Sequence, residues 1–259
     1  MNVLVAFRTN GNENLGGGHL TRCLALAKEL KKRNFKVLFL TKYAADLVKE
    51  MGFKVTRIGT RVMGSIDDAQ ETVYIVSREN VDILITDLND IGVVFTKHVK
   101  SHSKCHLISL DNVGNKHLYS DAVINSSIAP ELQAYKFNPE TTYYIGPKYA
   151  ILKPEFLHFH SLYKTIPEKC KSILVCFGSS DPTNLTGYVL DSLRSLEADV
   201  KFTVIVGKFY RHLEELKESC CQLNADIIVD APNIAELLYK SDLAIITAGL
   251  LAYEATTLG

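Results

Sequence analysis

The sequence has no excess of either charge: among 259 residues, 29 Lys and Arg are balanced by 29 Asp and Glu. That balance removes the electrostatic argument for a nucleic-acid partner or an anionic membrane surface. It has no CxxC, and its six cysteines (Cys23, Cys105, Cys170, Cys176, Cys220 and Cys221) follow neither a disulfide framework nor a zinc spacing. Several lie inside apolar patterns, where reduced, buried thiols and a cytoplasmic setting are expected. Long apolar runs are missing too. The longest, LAIITAGLLAY (243–253), is too short to span a bilayer. The N-terminal MNVLVAFRTN has no basic leader and reads as a strand, not a signal peptide. Neither GxGxxG nor GxxxxGK[ST] occurs, which argues against a dinucleotide site and a P-loop. No acidic cluster has the spacing of a calcium loop, and no metal or other cofactor is expected.

What the chain does have is 47% hydrophobic residues and a regular alternation of short β-branched runs with helical patterns. The runs VLVAF (3–7), KVLFL (36–40), KVTRI (54–58), DILITD (82–87), HLISLD (106–111) and AVIN (122–125) carry apolar residues on both faces. That pattern suits parallel strands covered on both faces. Between the first two, Leu20, Cys23, Leu24, Ala27 and Leu30 fall on one helix face. Five of the seven prolines crowd into residues 126–171, the best candidate for an interdomain connection. The alternation then resumes with strands SILVCFG (172–178), KFTVIVG (201–207), DIIVDA (226–231) and LAIITAG (243–249), and with helices from about Asp181, near 210–222 and near 233–240. The expected architecture is α/β, with two Rossmann-like, doubly wound domains at 1–150 and 172–259 joined by a linker at 151–171. The second domain reads as unfinished at Gly259, so a fragment is expected.

In open α/β sheets ligands bind beyond the C-terminal strand ends, where turns lead into helix N-termini. Three such places are visible. LGGGHLTRC (15–23) carries Gly16, Gly17, Gly18 and His19. FGSSDPTNLT (177–186) carries Gly178, Ser179, Ser180, Asp181 and Asn184. ITAGLLAYEATTLG (246–259) carries Ala248, Gly249, Leu250 and Glu254. Each suits a phosphate or diphosphate, but for the second alone plain helix capping by Ser180 or Asp181, with Pro182 as a good first helical residue, is the stronger reading. Glu254 reads either as a helix-surface carboxylate or as an acceptor for two ribose hydroxyls. His19, at a helix start that disfavours a positive ring, is expected to be neutral and able to act as a base, or merely to pack locally. Asp87, Asn89, Asp90, Asp111 and Asn112 fall at strand ends, where they either line a cleft or cap the helices and turns that follow; capping is the simpler reading. His158 and His160 form an HxH that lacks a partner cluster and is expected on a partly exposed helix face.

Taken in order, these stretches resemble the UDP-sugar hydrolases of pseudaminic acid biosynthesis and the related spore-coat polysaccharide proteins of the SpsG type. The N-terminal signature is matched by Phe7, Arg8, Thr9, Gly16, Gly18, His19 and Arg22. GPKYAILKPEF (146–156), FGSSDPTNLT and NIAELLYKSDLAIITAGLLAYEATTLG match the family's later segments. The resemblance implies a GT-B-like fold, with two Rossmann-like domains facing across a cleft. It implies hydrolysis of a UDP-linked diacetamido trideoxy hexose to free sugar and UDP, without a metal. His19 would be the catalytic base. Arg8, Gly17, Gly18, Arg22 and Asn89 would lie on the sugar side. Gly178, Ser179, Ser180, Asp181, Asn184, Ala248, Gly249, Leu250 and Glu254 would hold UDP, with Glu254 on the ribose.

The chain departs from the family pattern at Asn10, Phe177 and Asn89, which leaves the sugar open. The resemblance also implies an active-site asparagine beyond the ribose-binding helix. Two other readings share these features: a GT-B glycosyltransferase with a UDP-sugar donor, and a nucleotide-sugar-binding protein without catalysis. The oligomeric state is not legible.

Overall fold

A computed structural model describes residues 3–11, 18–111, 114–128, 136–194, 199–208, 210–223 and 225–258. The chain divides into two compact units, Met1–Ile151 and Leu152–Gly259.

The first unit is built on a seven-stranded, all-parallel sheet in the order β3-β2-β1-β4-β5-β6-β7. Its strands are β1 (Leu4–Thr9), β2 (Lys36–Thr41), β3 (Lys54–Arg57), β4 (Ile83–Asp87), β5 (His106–Leu110), β6 (Ala122–Asn125) and β7 (Thr142–Ile145). The helices are α1 (Gly18–Lys32), α2 (Ala45–Glu50), α3 (Ile66–Arg78) and α4 (Val93–His102). Alternation along each strand divides its side chains between two cores. Val5 and Phe7 of β1, Phe39 of β2 and Ile85 of β4 pack with Leu20, Cys23, Leu24 and Ala27 of α1. Ala6, Leu38, Leu40 and Leu84 pack on the opposite face with Ala69, Ile75, Val76, Phe95 and Val99 of α3 and α4. Each fully buried Leu, Ile or Phe contributes roughly 1.5–3 kcal/mol. Phe7 and Phe39 also stack, with ring centroids 5.0 Å apart.

The second unit has a four-stranded parallel sheet in the order β10-β9-β8-β11. Its strands are β8 (Ser172–Cys176), β9 (Lys201–Val206), β10 (Ala225–Val229) and β11 (Leu243–Ile246). Its helices are α5 (Pro154–His160), α6 (Leu185–Leu193), α7 (Leu213–Leu223), α8 (Ile234–Lys240) and α9 (Leu250–Thr256). Ile173 and Val175 of β8 face Leu190, Leu216 and Cys220, whereas Leu174 and Cys176 face Phe156, Ala235 and Leu238.

Two differences from the sequence reading stand out. The proline-rich stretch contains β7, whose TYYI alternates between half-buried and exposed side chains because it is a sheet edge. The segment expected as a linker contains α5, whose Phe156 is fully buried in the second unit's core.

Both sheets have a place where the chain's winding reverses. In the first, β1 lies between β2 and β4; in the second, β8 lies between β9 and β11. Connections on the two sides of such a point cover opposite faces, which opens a crevice at the strand C-termini.

Candidate functional site

In the first unit the reversal point brings the start of α1 to the end of β4. Thr9, the last residue of β1, pairs with Asp87, the last of β4. Asp87 shares strand parity with Ile85, so its carboxylate turns towards the α1 face. There His19 Nδ1 lies 2.6 Å from Asp87 Oδ1. Arg22, one turn further along α1, donates from Nε to Asp87 Oδ2 at 2.5 Å and from Nη2 to Oδ1. Its Nη2 is also 3.2 Å from His19 Nδ1. The Cys23 thiol donates to Asp87 Oδ2 at 3.4 Å.

Asp87 has no exposed side-chain surface, whereas His19 retains 16%. Burial alone would raise the Asp87 carboxyl, but the hydrogen bonds from Arg22 and His19 outweigh it and hold the group below its ordinary value. Burial opposes the Arg22 charge in the same way, and Asp87 more than restores it. The Cys23 thiol is pushed well up, first by burial and then by Asp87. A carboxylate on Nδ1 requires the ring proton on that nitrogen, which leaves Nε2 as a lone-pair acceptor.

Arg8 goes elsewhere. It shares strand parity with Ala6 and points to the opposite face of the sheet, towards α3. Its Nε and Nη2 donate to the two carboxylate oxygens of Asp68 at 3.0 and 2.9 Å, and both side chains are fully buried. The structure therefore places Arg8 in a structural ion pair on the face away from His19. Asn10 is also committed, its Oδ1 accepting from Thr41 Oγ1, Lys42 N and Tyr43 N at 2.7–3.2 Å. Gly18 is the first residue of α1, and a Cβ there would meet none of the described residues within 4 Å. Gly16, Gly17 and Asn112 lie outside the described residues. Asn89 is exposed in the turn after β4, and its carbonyl accepts from Lys116 Nζ. Asp111 takes the capping role expected of it, accepting from Gly114 N at 3.0 Å. Asp87 does not; its partners are the side chains of α1.

In the second unit the reversal point gathers the turns after β8 and β11, since Cys176 pairs with Ile246. After β8, Gly178 has φ +95°, a conformation open to glycine and strained for other residues. Ser179 and Ser180 follow, half-buried. Asp181, nearly buried, accepts from Leu185 N at 2.9 Å, Thr186 N at 2.8 Å and Thr186 Oγ1 at 2.7 Å. Asn184, at φ 53°, is the N-cap of α6 and accepts from Gly187 N at 3.2 Å and Tyr210 Oη at 2.5 Å. Helix α6 thus starts at Leu185, four residues later than the sequence suggests, because these two side chains tie up its N-terminal amides. Sequence reading also passed over Gly207. A Cβ there would lie 2.3 Å from Ser179 Cα, so the absent side chain is what lets the turn rest on the end of β9.

After β11 come Ala248, then Gly249 as the uncapped N-cap of α9, then Leu250 as its first residue. Glu254, in that helix, is only 2% exposed. Its Oε1 has no hydrogen-bond partner among the described residues, and its Oε2 lies 3.6 Å from Lys153 Nζ. Burial pushes its carboxyl up to about 7, against the pull of Lys153. It is therefore not a helix-surface residue. An unsatisfied buried carboxylate oxygen costs about 1–3 kcal/mol or more unless a donor reaches it. The HxH pair lies on α5, where His160 Nδ1 bonds Thr257 O at 2.7 Å. Among the described residues no three metal-ligating side chains converge, and no helix is long and apolar enough to cross a membrane.

No family model matches the chain. It is 33% identical over 98% of its length to the uncharacterized protein MJ1062 of Methanocaldococcus jannaschii, and spans only 54% of that relative. It is 25% identical to the spore coat polysaccharide biosynthesis protein SpsG of Bacillus subtilis, over 98% of the chain and 75% of the relative. It is also 25% identical to the UDP-2,4-diacetamido-2,4,6-trideoxy-beta-L-altropyranose hydrolase of Campylobacter jejuni, over 98% of the chain and 88% of the relative. Among solved structures, a glycosyltransferase from Rickettsia africae aligns over 99% of the chain and 77% of its own, with a TM-score of 0.65 at 14% identity. HepE from Anabaena, in complex with UDP-glucose, aligns over 99% and 79% with a TM-score of 0.62 at 15% identity. Over nearly its whole length the chain is thus homologous to proteins named for spore-coat polysaccharide biosynthesis and for UDP-sugar hydrolysis, on an α/β fold shared with GT-B glycosyltransferases.

Proposed function

We propose that this protein acts on a UDP-sugar in surface-polysaccharide or nonulosonic acid biosynthesis. The reaction we assign is hydrolysis of a UDP-linked diacetamido trideoxy hexose to free sugar and UDP. The second unit supplies the nucleotide-binding groups. Backbone amides at Ser179 and Ser180, and at Leu250 at the start of α9, suit a diphosphate, and Glu254 Oε1 suits the ribose hydroxyls. The first unit supplies the base. His19 Nε2 accepts a proton from water as the water oxygen bonds to the anomeric carbon. The bond from that carbon to the diphosphate oxygen breaks, and its electron pair leaves with UDP.

One observation carries this reading: His19 is held through Nδ1 at the crevice end of the sheet, with Nε2 left as an acceptor and part of the ring exposed. A base held in this way suits transfer of the sugar to water. The relative named as a UDP-sugar hydrolase supports the same chemistry. The test is UDP release from UDP-linked amino sugars with water as the only acceptor. Release with an equal amount of free sugar supports hydrolysis. Release only after an acceptor is added replaces it with a glycosyltransferase, and UDP binding without release under either condition replaces it with a binding protein.

A further inference from the structure

Arg22 was expected on the substrate, and two of its guanidinium nitrogens, Nε and Nη2, bond Asp87. Nε faces one carboxylate oxygen and Nη2 the other, the paired geometry that arginine makes with a carboxylate. The oxygen that Nη2 meets, Oδ1, is also the one that holds His19. We infer that Asp87 and Arg22 are positioning residues for His19: Asp87 fixes the ring with its proton on Nδ1, and Arg22 cancels the carboxylate's charge so that Asp87 orients the ring without drawing a second proton onto it. This inference rests on the reading of His19 as a base.

The charges make the case. Among the described residues, those facing this point are Asp87 from β4, and Arg22 and Cys23 from α1; Asp111, after β5, acts on Arg22 from further off. Burial keeps the Cys23 thiol protonated, so it donates without contributing charge. In contact with the ring, one anion, Asp87, and one cation, Arg22, remain and sum to zero; Asp111 has its own counter-charge, with Lys116 Nζ 3.9 Å from its Oδ1. A buried carboxylate alone beside an imidazole would favour the doubly protonated ring, which is no base. Asp87 paired with arginine supplies direction without that pull. When His19 takes the proton from water, the cluster becomes a net cation as the negatively charged UDP departs, so the same balance favours the second half of the reaction.

The contact with Arg22 also explains why an aspartate can be fully buried at this point. Without it, the carboxylate would be desolvated with only an imidazole and a thiol for partners, and burial would push it towards the protonated form. A protonated Asp87 could hold the ring in the wrong tautomer, with its own proton donated to Nδ1.

The test uses the whole protein with nitrogen-labelled histidine. NMR of the ring nitrogens reads the His19 tautomer, after assignment by loss of the signal in His19→Gln. The wild type is expected to carry the proton on Nδ1 and Asp87→Asn to carry it on Nε2, with UDP release slowed about a hundredfold to ten-thousandfold and UDP affinity within about twofold. Arg22→Gln is expected to move the acidic limb of the pH–rate profile to higher pH, and Arg22→Lys to restore it. An unchanged tautomer in Asp87→Asn overturns the positioning role of Asp87. An acidic limb that stays in place in Arg22→Gln overturns the role of Arg22. If Arg22→Gln does not fold, Arg22→Leu takes its place with the same two outcomes, because it removes the charge and keeps the bulk of the side chain, whereas a wholly structural role predicts a changed melting temperature with an unmoved acidic limb. If the wild type releases no UDP, the hydrolase reading fails, and the tautomer measurement still decides whether Asp87 fixes the ring.

Discussion

His19 Nδ1 and Asp87 Oδ1 meet at 2.6 Å although 68 residues separate them in the chain. The strand order brings them together. β1 and β4 are neighbours, α1 begins just beyond β1, and Asp87 ends β4 on the face that α1 covers. A histidine held from behind in this way presents its other nitrogen to the crevice. His19→Ala is therefore expected to reduce UDP release by about a hundredfold or more while UDP affinity changes by less than about threefold. Steady-state rates and calorimetric UDP titration check both halves. Turnover near the wild-type rate would remove His19 from the chemistry.

Glu254 should make nucleotide binding depend on pH. Its carboxyl is pushed up to about 7, chiefly by burial. Only the ionised form offers both oxygens to ribose hydroxyls. UDP affinity should rise as pH increases through about 7, and Glu254→Ala should weaken binding by about 1–3 kcal/mol and flatten the dependence. Titration of UDP across pH measures both. An affinity indifferent to pH and to the substitution would leave Glu254 without a ligand.

The same carboxyl affects stability with the opposite sign. Its folded-state value lies above the unfolded value, so the folded form holds a proton that the unfolded form has lost between about pH 4.5 and 7. Stability from this group is present below that window and is lost as pH rises through it, by on the order of 3 kcal/mol. Glu254→Gln should remove this slope and stabilise the UDP-free protein at about pH 8. Denaturation at several pH values tests it; a slope equal to that of the wild type would contradict it.

Arg8 and Asp68 form a fully buried pair. Removing one partner leaves an unpaired charge in the core, so Arg8→Met should cost about 3–5 kcal/mol, and the double variant Arg8→Met with Asp68→Leu should recover much of it. UDP affinity of the folded variants should stay within about twofold. Chemical denaturation and UDP titration separate this from a role on the substrate, for which affinity or turnover would fall while stability held.

Gly207 tests how the second unit shapes its turn. A Cβ there would meet the Ser179 backbone at 2.3 Å, whereas one on Gly18 meets none of the described residues within 4 Å. Gly207→Ala should weaken UDP binding by about tenfold through displacement of residues 178–180, and Gly18→Ala should leave UDP binding unchanged. Equal effects of the two substitutions would contradict this.

Strands such as AVIN (122–125), apolar on both faces, were legible because parallel sheets buried on both sides leave that pattern. TYYI was missed because an edge strand carries mixed exposure. The ends of β8 and β11 were legible from glycine placement, but the start of α6 was not, because Asp181 and Asn184 could each begin a helix by composition alone. Asp87 read as a cap because its partner lies far away in sequence. The missed signal was parity: Asp87 matches Ile85 and Arg8 matches Ala6, which sends the two side chains to opposite faces. The pairing of Glu254 with Lys153 depends on how α5 docks against the second sheet, which no local pattern encodes.

The measurement that tests the central claim most directly is UDP release from a UDP-linked diacetamido trideoxy hexose in heavy-oxygen water with no other acceptor, followed by mass analysis of the UDP. Attack of water on the anomeric carbon predicts stoichiometric release of UDP without the heavy isotope, and loss of that release in His19→Ala. Heavy oxygen in the UDP would mean cleavage at phosphorus, and no release without an acceptor would mean transfer or binding without catalysis rather than hydrolysis; either result would contradict the account.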